Sequence, residues 1–340
     1  MNDTTVLITG VSGFIAKHCA VELLNAGYRV RGTVRSLGRA TQVKDTLARH
    51  ADASKLELVE ADLEVDAGWN EALEGCASIL HVASPFPLSQ PKDEQALIRP
   101  AVEGTERVLR AAKLAGVERF VQTSSMAAVQ FGHAPDRTAP FTEADWTVVD
   151  APGVTPYDKS KTLAERAARD FVHTEGDGLH YSSVNPGFVL GPALDADIGT
   201  SAGMIELFLR GKYPGAPRVS LSFVDVRDVA LMHRLALESS APSGGRYLAV
   251  AECMWMIDIA HAIRSQLGDA ARKVPSRELP NWMVKLVALF DRPARTIVPL
   301  LGRETRVDNT RTREALQMTF IPAAEAAVAT ARSLIELKLV

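Results

Sequence analysis

The feature that most constrains the fold is a glycine-rich turn between a short apolar strand and a helix near the start of the chain. Residues 5–9 form an apolar run rich in β-branched side chains, and Gly10-Val11-Ser12-Gly13 follows it directly. A helical pattern then covers 14–25 and ends at Gly27. The glycines alone are compatible with a purely structural turn. The strand–turn–helix context favours a dinucleotide site, in which Gly10, Ser12 and Gly13 approach the pyrophosphate at the helix N-terminus.

Short buried strands alternate with helical segments through the first half of the chain. The sequence predicts strands at 5–9, 28–34, 55–60, 78–82, 119–123 and 180–184, and helices at 14–25, 41–49, 94–115 and 157–173. This alternation indicates parallel βαβ units with right-handed crossovers. The predicted fold class is therefore α/β, a doubly wound parallel sheet of the Rossmann type.

The pattern changes after Pro186. Residues 187–222 are rich in glycine and proline, with one helix near 204–210, and the chain from 253 onward is mostly helical. We therefore expect a dinucleotide-binding domain formed by 1–188 plus 221–250. A smaller, mostly helical substrate lobe is expected from 189–220 plus 251–340.

Composition gives no reason to expect nucleic acid or membrane as a partner. The 340 residues carry a net charge of −3, which provides no electrostatic attraction to polyanions. The best apolar run, 282–290, is too short to span a bilayer and contains Lys285, so it is expected to be a buried or pocket-facing helix. Three dispersed cysteines and eight histidines without ligand spacing predict no disulfide and no metal. The expectation is a cytoplasmic monomer or homodimer.

The end of the second predicted strand favours NADP over NAD. An NAD site usually presents a carboxylate there to the ribose 2′-hydroxyl. Residues 28–36 contain no acid, and Arg35 lies just beyond the strand. A guanidinium at this position suits a 2′-phosphate, with Ser36, Arg39 or Lys44 as possible assistants. A solvated basic loop is the alternative interpretation.

Asp62 follows the third predicted strand in the sequence Ala61-Asp62-Leu63. Its carboxylate at a strand end is suited to accept a hydrogen bond from the adenine amino group, with Leu63 against the ring. A capping role for the next segment explains the same residue equally well.

Tyr157 and Lys161 form a Tyr-x-x-x-Lys pair at the start of a predicted helix. Positions i and i+4 share a face, so the lysine ammonium is expected to lower the pKa of the phenol, which is ordinarily about 10. Ser124 and Ser125 close the fifth predicted strand, on the side of the sheet where ligands bind. We favour Ser125 over Ser124 as the hydroxyl that meets a substrate oxygen beside Tyr157; a turn role is the alternative for both serines.

Together these motifs resemble the extended short-chain dehydrogenase/reductase family. They include the glycine turn, Arg35, Ala61-Asp62-Leu63, residues 81–85, Thr123-Ser124-Ser125 and the Tyr-x-x-x-Lys pair. Within the family, the set is most similar to the dihydroflavonol 4-reductase and cinnamoyl-CoA reductase branch, which includes microbial NADPH-dependent methylglyoxal and aldehyde reductases. The resemblance covers residues 5–235 well and the last hundred loosely.

The resemblance implies the roles of individual residues. Ser125, Tyr157 and Lys161 would be the catalytic set, and NADPH would be the cofactor. Implied cofactor contacts are Phe14, Ile15, Arg35, Asp62, Leu63, Val82, Ala83, Ser84, Pro186 and Ser201.

A substrate pocket is expected beside the catalytic set, with Ser84, Pro85 and Phe86 on one side and Gln130 and Phe188 opposite. Plant dihydroflavonol reductases have asparagine at the position of Gln130 and glutamine at the position of Ser222. Both departures disfavour a flavonoid substrate. The predicted reaction is reduction of a ketone or aldehyde to an alcohol, with hydride from the nicotinamide and a proton from Tyr157.

Three alternatives remain open. A nucleotide-sugar epimerase or dehydratase would use the same fold, although Met126-Ala127-Ala128 lacks the acid pair that a dehydratase needs after the serine. A steroid-type hydroxy dehydrogenase would use the same residues in the oxidative direction. A non-catalytic NADP sensor would have no need of the Ser-Tyr-Lys set.

Overall fold

A computed structural model of the chain describes residues 4–85, 93–290, 295 and 297–340. Its strands are β1 (Thr5–Ile8), β2 (Arg29–Val34), β3 (Leu56–Glu60), β4 (Cys76–His81), β5 (Arg119–Thr123), β6 (His180–Pro186), β7 (Phe188–Leu190), β8 (Ala216–Pro217), β9 (Ser220–Asp225), β10 (Gly245–Ala249), β11 (Glu252–Trp255) and β12 (Glu278–Leu279). Its helices are α1 (Phe14–Asn25), α2 (Ala40–Ala48), α3 (Trp69–Leu73), α4 (Gln95–Leu114), α5 (Pro156–Thr174), α6 (Gly199–Leu209), α7 (Val226–Glu238), α8 (Met256–Leu267), α9 (Asn281–Val287), α10 (Thr310–Leu316) and α11 (Ala323–Glu336).

The central sheet has seven strands in the order β10-β6-β5-β4-β1-β2-β3, and every neighbouring pair is parallel. The predicted doubly wound α/β fold is confirmed. The strand order reverses between β1 and β4, and sheets of this kind bind ligands at such a switch point, outside the carboxyl ends of the strands.

Helices cover both faces of this sheet. Val6 and Ile8 of β1 belong to the core under α1 and α7, whereas Leu7 belongs to the core under α4 and α5. Successive side chains of a strand point to opposite faces, so a strand buried on both sides is apolar throughout. This explains why β1 has a continuous apolar sequence instead of an alternating one.

A second, smaller sheet, β11-β9-β7, packs with α6, α8 and α11 around a separate apolar core. The helix predicted near 204–210 begins earlier, at Gly199, and β10 joins the central sheet although no strand was predicted there. The division of the chain into a dinucleotide-binding domain and a substrate lobe stays a prediction.

The predicted apolar helix at 282–290 is correct in position but wrong in burial. In α9 and the residues after it, Trp282 is 66% exposed and Phe290 is 87% exposed. Within the part of the chain that the structure describes, no helix combines the length and apolar character needed to cross a membrane.

Candidate active site

A cleft of about 890 Å³ runs along the carboxyl ends of the central strands. Its wall is formed by the segments that directly follow β1 to β6 and by the start of α5 and α6. The predicted site residues that line it are Gly10, Ser12, Gly13, Phe14, Ile15, Arg35, Asp62, Leu63, Val82, Ala83, Ser84, Ser125, Tyr157, Lys161, Pro186, Phe188 and Ser201. The sequence motifs that were scattered along the chain therefore meet in one place.

The glycine turn after β1 is built for close approach of a ligand. Gly10 has a φ of +64°, which favours glycine, and its N–H donates to Oγ1 of Thr33 at 2.9 Å. Gly13 precedes α1 and has no side chain to cap it. The first N–H groups of α1 therefore face the cleft without a capping side chain, which suits a phosphate.

The opposite end of the cleft carries two arginines. Arg35 and Arg39 are exposed and both line the cleft. Of the other possible assistants, Ser36 accepts a hydrogen bond from the Gly38 N–H, and Lys44 is not among the lining residues. Two guanidinium groups at one end of an otherwise mostly apolar cleft provide a site for a phosphate.

Asp62 is not the cap of the next helix, one of its two predicted roles, because Gly68 precedes α3. Its Oδ1 accepts a hydrogen bond from the Glu64 N–H at 3.0 Å, so the carboxylate stabilises the turn after β3. The residue also lines the cleft, as Leu63 does. Contact with an adenine ring stays a prediction.

Ser125, Tyr157 and Lys161 come together at the other end of the cleft. The side chains of Ser125 and Tyr157 are hydrogen-bonded to each other, and Ser125 Oγ also accepts from the Ala127 N–H at 3.0 Å. Lys161 donates from Nζ to the carbonyl oxygen of Thr123 at 3.3 Å. The predicted catalytic side chains thus meet, although Ser125 lies 32 residues before Tyr157 in the sequence and Tyr157 and Lys161 share α5.

The helix that carries Tyr157 and Lys161 begins with a complete capping box. Oγ1 of Thr155 accepts from the Asp158 N–H at 3.2 Å, and Oδ2 of Asp158 accepts from the Thr155 N–H at 2.9 Å. Pro156 occupies the first helical position, where its missing N–H costs nothing. The cap stabilises the first turn of α5 and so fixes the position of Tyr157, which lies in that turn.

The comparison with known proteins identifies the family. A family model described as the NAD dependent epimerase/dehydratase family matches residues 6–249. The chain belongs to this family. The predicted membership of the extended short-chain dehydrogenase/reductases is confirmed.

Several relatives are named as reductases. A ketoreductase from Aspergillus niger is 32% identical over 333 residues, which cover 93% of each chain. A putative NADPH-dependent methylglyoxal reductase from Candida albicans is 32% identical over 345 residues, or 94% of this chain and 95% of the relative. The solved structure of Gre2 from Candida albicans in complex with NADPH has a TM-score of 0.81 at 27% identity and covers 98% of this chain and 99% of its own.

For this member of the epimerase/dehydratase family, burial dominates the protonation of the site. Burial raises the pKa of Tyr157 to about 12, against the opposing effect of its hydrogen bond to Ser125. Burial also lowers the pKa of Lys161 to about 8, and the charge of Glu165 opposes that shift. The prediction that Lys161 lowers the pKa of the phenol is therefore wrong for this structure: burial raises that pKa, and the group that opposes the rise is Ser125.

The two adjacent serines lie in different surroundings. Ser124 is buried and donates from Oγ to Oε2 of Glu165 at 2.6 Å, away from Tyr157. Ser125 is hydrogen-bonded to Tyr157, and its Oγ also lies 3.4 Å from the Pro186 carbonyl oxygen, to which it donates. This geometry favours Ser125 as the substrate-facing hydroxyl, in agreement with the sequence-based preference.

Of the four predicted substrate-pocket residues, Phe188 lines the cleft, Gln130 and Ser222 do not, and Phe86 is not described. Phe188 lines the cleft and packs against Phe223, with ring centroids 6.0 Å apart. Gln130 and Ser222 are not among its lining residues; each has a buried side-chain oxygen without a hydrogen-bond partner among the described residues. Phe86 lies outside the described residues.

Sequence reasoning missed several residues of the site. Asp197, Gly199 and Thr200 line the cleft, but they lie in a glycine- and proline-rich segment without a diagnostic pattern. Glu165 was also missed, although its position four residues after Lys161 on one helix face was a usable signal.

Proposed function

We propose that this protein reduces a ketone or aldehyde to an alcohol with NADPH. One observation carries the proposal: Ser125, Tyr157 and Lys161 meet in the same cleft as the glycine turn and Arg35. A reductase needs a proton donor beside the place where the nicotinamide lies, and this cleft provides one. The reductase names of the relatives support the same reaction.

The residues present fit NADPH. The turn at Gly10 and Gly13 receives the pyrophosphate, and Arg35 with Arg39 receives the 2′-phosphate. Asp62 and Leu63 border the adenine position between these two points, and Val82, Ala83 and Ser84 continue the wall toward the catalytic residues. Pro186 and Ser201 close the cleft on the side of the second sheet.

In the proposed reaction, bound NADPH supplies a hydride to the carbonyl carbon. Tyr157 donates its phenolic proton to the carbonyl oxygen, and Ser125 holds that oxygen by a hydrogen bond. Lys161, anchored on the Thr123 carbonyl, places positive charge beside the phenolate that remains.

The protonation of Tyr157 favours the reductive direction. With a pKa of about 12, the phenol keeps its proton at neutral pH and is ready to donate it. Oxidation of an alcohol would require the phenolate at the start. This protonation state suits Tyr157 as the proton donor that a carbonyl reductase needs.

The substrate is proposed to be a neutral carbonyl compound with an apolar substituent. Around the catalytic residues the cleft is lined by Pro85, Met126, Ala127, Phe188 and Val189. The arginines that line the cleft among the described residues, Arg35 and Arg39, lie at its other end. An anionic sugar nucleotide would find no guanidinium partner next to Tyr157.

The test is consumption of NADPH and of NADH against a panel of aryl ketones, alkyl ketones, aldehydes and diketones, with the alcohol product identified by chromatography. The proposal expects alcohol formation with NADPH and much slower turnover with NADH. Equal use of both cofactors, or conversion of a sugar nucleotide in place of any carbonyl, would contradict it.

We also propose a cytoplasmic location and a monomer or homodimer. The thiols of Cys19 and Cys76 are buried and unpaired, which suits a reducing compartment. Light scattering of the purified protein tests the assembly, and a mass corresponding to a larger assembly would refute it.

A further inference from the structure

A buried carboxylate lies one helical turn beyond Lys161 and takes no part in the proton transfer described above. Glu165 is fully buried on α5, on the same face as Tyr157 and Lys161, but it does not line the cleft. An ionised carboxylate is costly to bury unless it is fully hydrogen-bonded and paired. We therefore ask what a buried carboxylate contributes at this position, one helical turn from Lys161.

Glu165 is the acceptor for a converging set of donors. Its Oε2 accepts from Ser124 Oγ at 2.6 Å and from Asn185 Nδ2 at 2.8 Å. Its Oε1 accepts from Ser183 Oγ at 3.0 Å and from Arg246 Nε at 2.8 Å. These donors come from the end of β5, from β6 and from β10, so the carboxylate joins three strands to α5.

The same contacts reach the serine that faces the substrate. Ser124 is the neighbour of Ser125, and Asn185 also donates from Nδ2 to the Ser125 carbonyl oxygen at 3.2 Å. Glu165 therefore holds the backbone of Ser125 through two routes, one along the chain and one through the amide of Asn185. Removal of the carboxylate would therefore break its hydrogen bonds to Ser124 and to Asn185, and the Ser125 backbone would lose both supports.

The charge of Glu165 is maintained by arginines and acts on Lys161. Burial works to raise the pKa of Glu165, and the charges of Arg246 and Arg169 outweigh it, so the net pKa is lowered. Burial lowers the pKa of Lys161 to about 8, and Glu165 opposes this. Glu165 forms its ion pairs with Arg169 and Arg246, and it acts on Lys161 as an opposite charge one helical turn away.

We propose that Glu165 is a positioning residue for the reductase reaction, because it fixes the Ser124–Ser125 turn and places a buried negative charge one helical turn from Lys161. The inference rests on the proposed function for its kinetic consequence, but the state of Lys161 can be measured without turnover. Arg246 acts with Glu165: its guanidinium lies 3.8 Å from the centroid of the Trp146 ring and is fixed there by carbonyl oxygens.

The other titratable groups near this pair have distinct roles. Tyr157 and Asp158 share α5, and the pKa of Asp158, raised by burial to about 6, belongs to the acid side of a pH profile. His81 of β4 is kept neutral by burial, with a pKa of about 3. Tyr181 of β6 has a raised pKa through burial. Glu94, at the start of α4, pairs with Lys159 rather than with Lys161.

The test is the pH dependence of kcat in Glu165→Gln, which keeps the size and removes the charge. Without Glu165 the ammonium of Lys161 is lost at lower pH, and the alkaline limb of the profile should move down by about one pH unit. The matched control is Asp225→Asn, which removes another buried carboxylate paired with an arginine, outside the cleft. Its alkaline limb should not move.

A second variant separates positioning from charge. Ser124→Ala removes one route to Ser125 and leaves Glu165 ionised, so kcat should fall by roughly tenfold, with KM for NADPH and the alkaline limb unchanged. If Glu165→Gln does not fold, Ser124→Ala alone tests the positioning role, and an unchanged kcat in that variant would contradict the inference.

Titration of Lys161 in protein labelled at lysine Cε, followed by NMR and assigned with Lys161→Arg, provides a readout without catalysis. A lowered pKa of Lys161 in Glu165→Gln supports the inference even if no carbonyl is reduced and the proposed function fails. If neither the alkaline limb of the kcat profile nor the titration of Lys161 changes in Glu165→Gln, the inference is wrong. A loss of thermal stability without these changes would mean that Glu165 has a structural role only.

Discussion

A Cβ atom placed on Gly10 would lie 2.9 Å from the Cβ of Ala83, closer than real side chains approach. The backbone of Gly10, in the turn after β1, therefore packs against the side chain of Ala83, in the turn after β4. In the proposed complex, the pyrophosphate and the nicotinamide ribose would lie beside this contact. The Ala83 N–H also donates to Oγ1 of Thr9 at 2.9 Å, which holds the two turns together. This contact fixes the spacing of the two turns at the edge of the cleft.

Gly10→Ala should therefore damage both stability and cofactor binding. The positive φ costs about 1–2 kcal/mol for a non-glycine residue, and relief of the contact with Ala83 must displace a wall of the cleft. The control is Gly27→Ala, which has a φ of +92° but open space around its Cβ. The melting temperature should fall in both variants. Only Gly10→Ala should lose NADPH binding in a fluorescence titration. Equal NADPH affinity in both variants would refute this role of the turn.

Arg35→Ala should weaken NADPH selectively. Charge-assisted hydrogen bonds to a phosphate contribute roughly 1.5–3 kcal/mol each, so KM for NADPH should rise about tenfold or more, with little change for NADH. Arg29→Ala, at the opposite end of the same strand, is the matched control and should leave both values unchanged. A parallel rise of KM for both cofactors would place Arg35 outside the 2′-phosphate site.

Phe188→Ala should change the preference between large and small ketones. Phe188 lines the cleft beside the candidate catalytic residues, so truncation of its ring enlarges the site. The ratio of kcat/KM for a bulky aryl ketone to that for a small alkyl ketone should rise by a factor of about ten. Phe208→Ala, a fully buried ring in the second core, should lower Tm with the ratio unchanged. If Phe188→Ala also lowers Tm and leaves the ratio unchanged, Phe188 is a core residue and not part of the substrate pocket.

Acid should destabilise the fold through buried neutral histidines. Burial lowers the pKa of His233 to about 4, and a histidine in the unfolded chain titrates near 6.5. The stability that its neutral form contributes is fully present above pH 6.5 and is lost as pH falls through 4, on the order of 2–3 kcal/mol. Because Oγ1 of Thr123 lies 2.6 Å from its Nε2, His233→Gln should be less stable than the wild type at pH 7.5.

The difference in Tm between wild type and His233→Gln should shrink between pH 7.5 and pH 5, since the variant has no imidazole to protonate at position 233. His173→Gln, at an exposed position near the end of α5, should give the same Tm difference at both values. A gap for His233→Gln that stays constant with pH would show that His233 does not drive acid unfolding.

Local signals made much of the fold and site predictable from the sequence. The ends of α1 were predicted to the residue because Gly13 and Gly27 delimit it, and Tyr157 with Lys161 was recognisable because i and i+4 share a helix face. The strand β10 was missed because its sequence, Gly-Arg-Tyr-Leu-Ala, lacks the run of β-branched residues that marks the predicted strands. Arg246 of that strand reaches Glu165 only through the pairing of β10 with β6, and no local pattern encodes it.

The most direct test of the proposed reaction is the turnover of Tyr157→Phe with a carbonyl substrate that the unmodified protein reduces. The ring and its packing are retained while the proton donor is removed, so kcat should fall by about 10²–10⁴ with NADPH binding preserved in a fluorescence titration. Turnover close to that of the unmodified protein would contradict the assignment of Tyr157 as the proton donor and, with it, the proposed catalytic site.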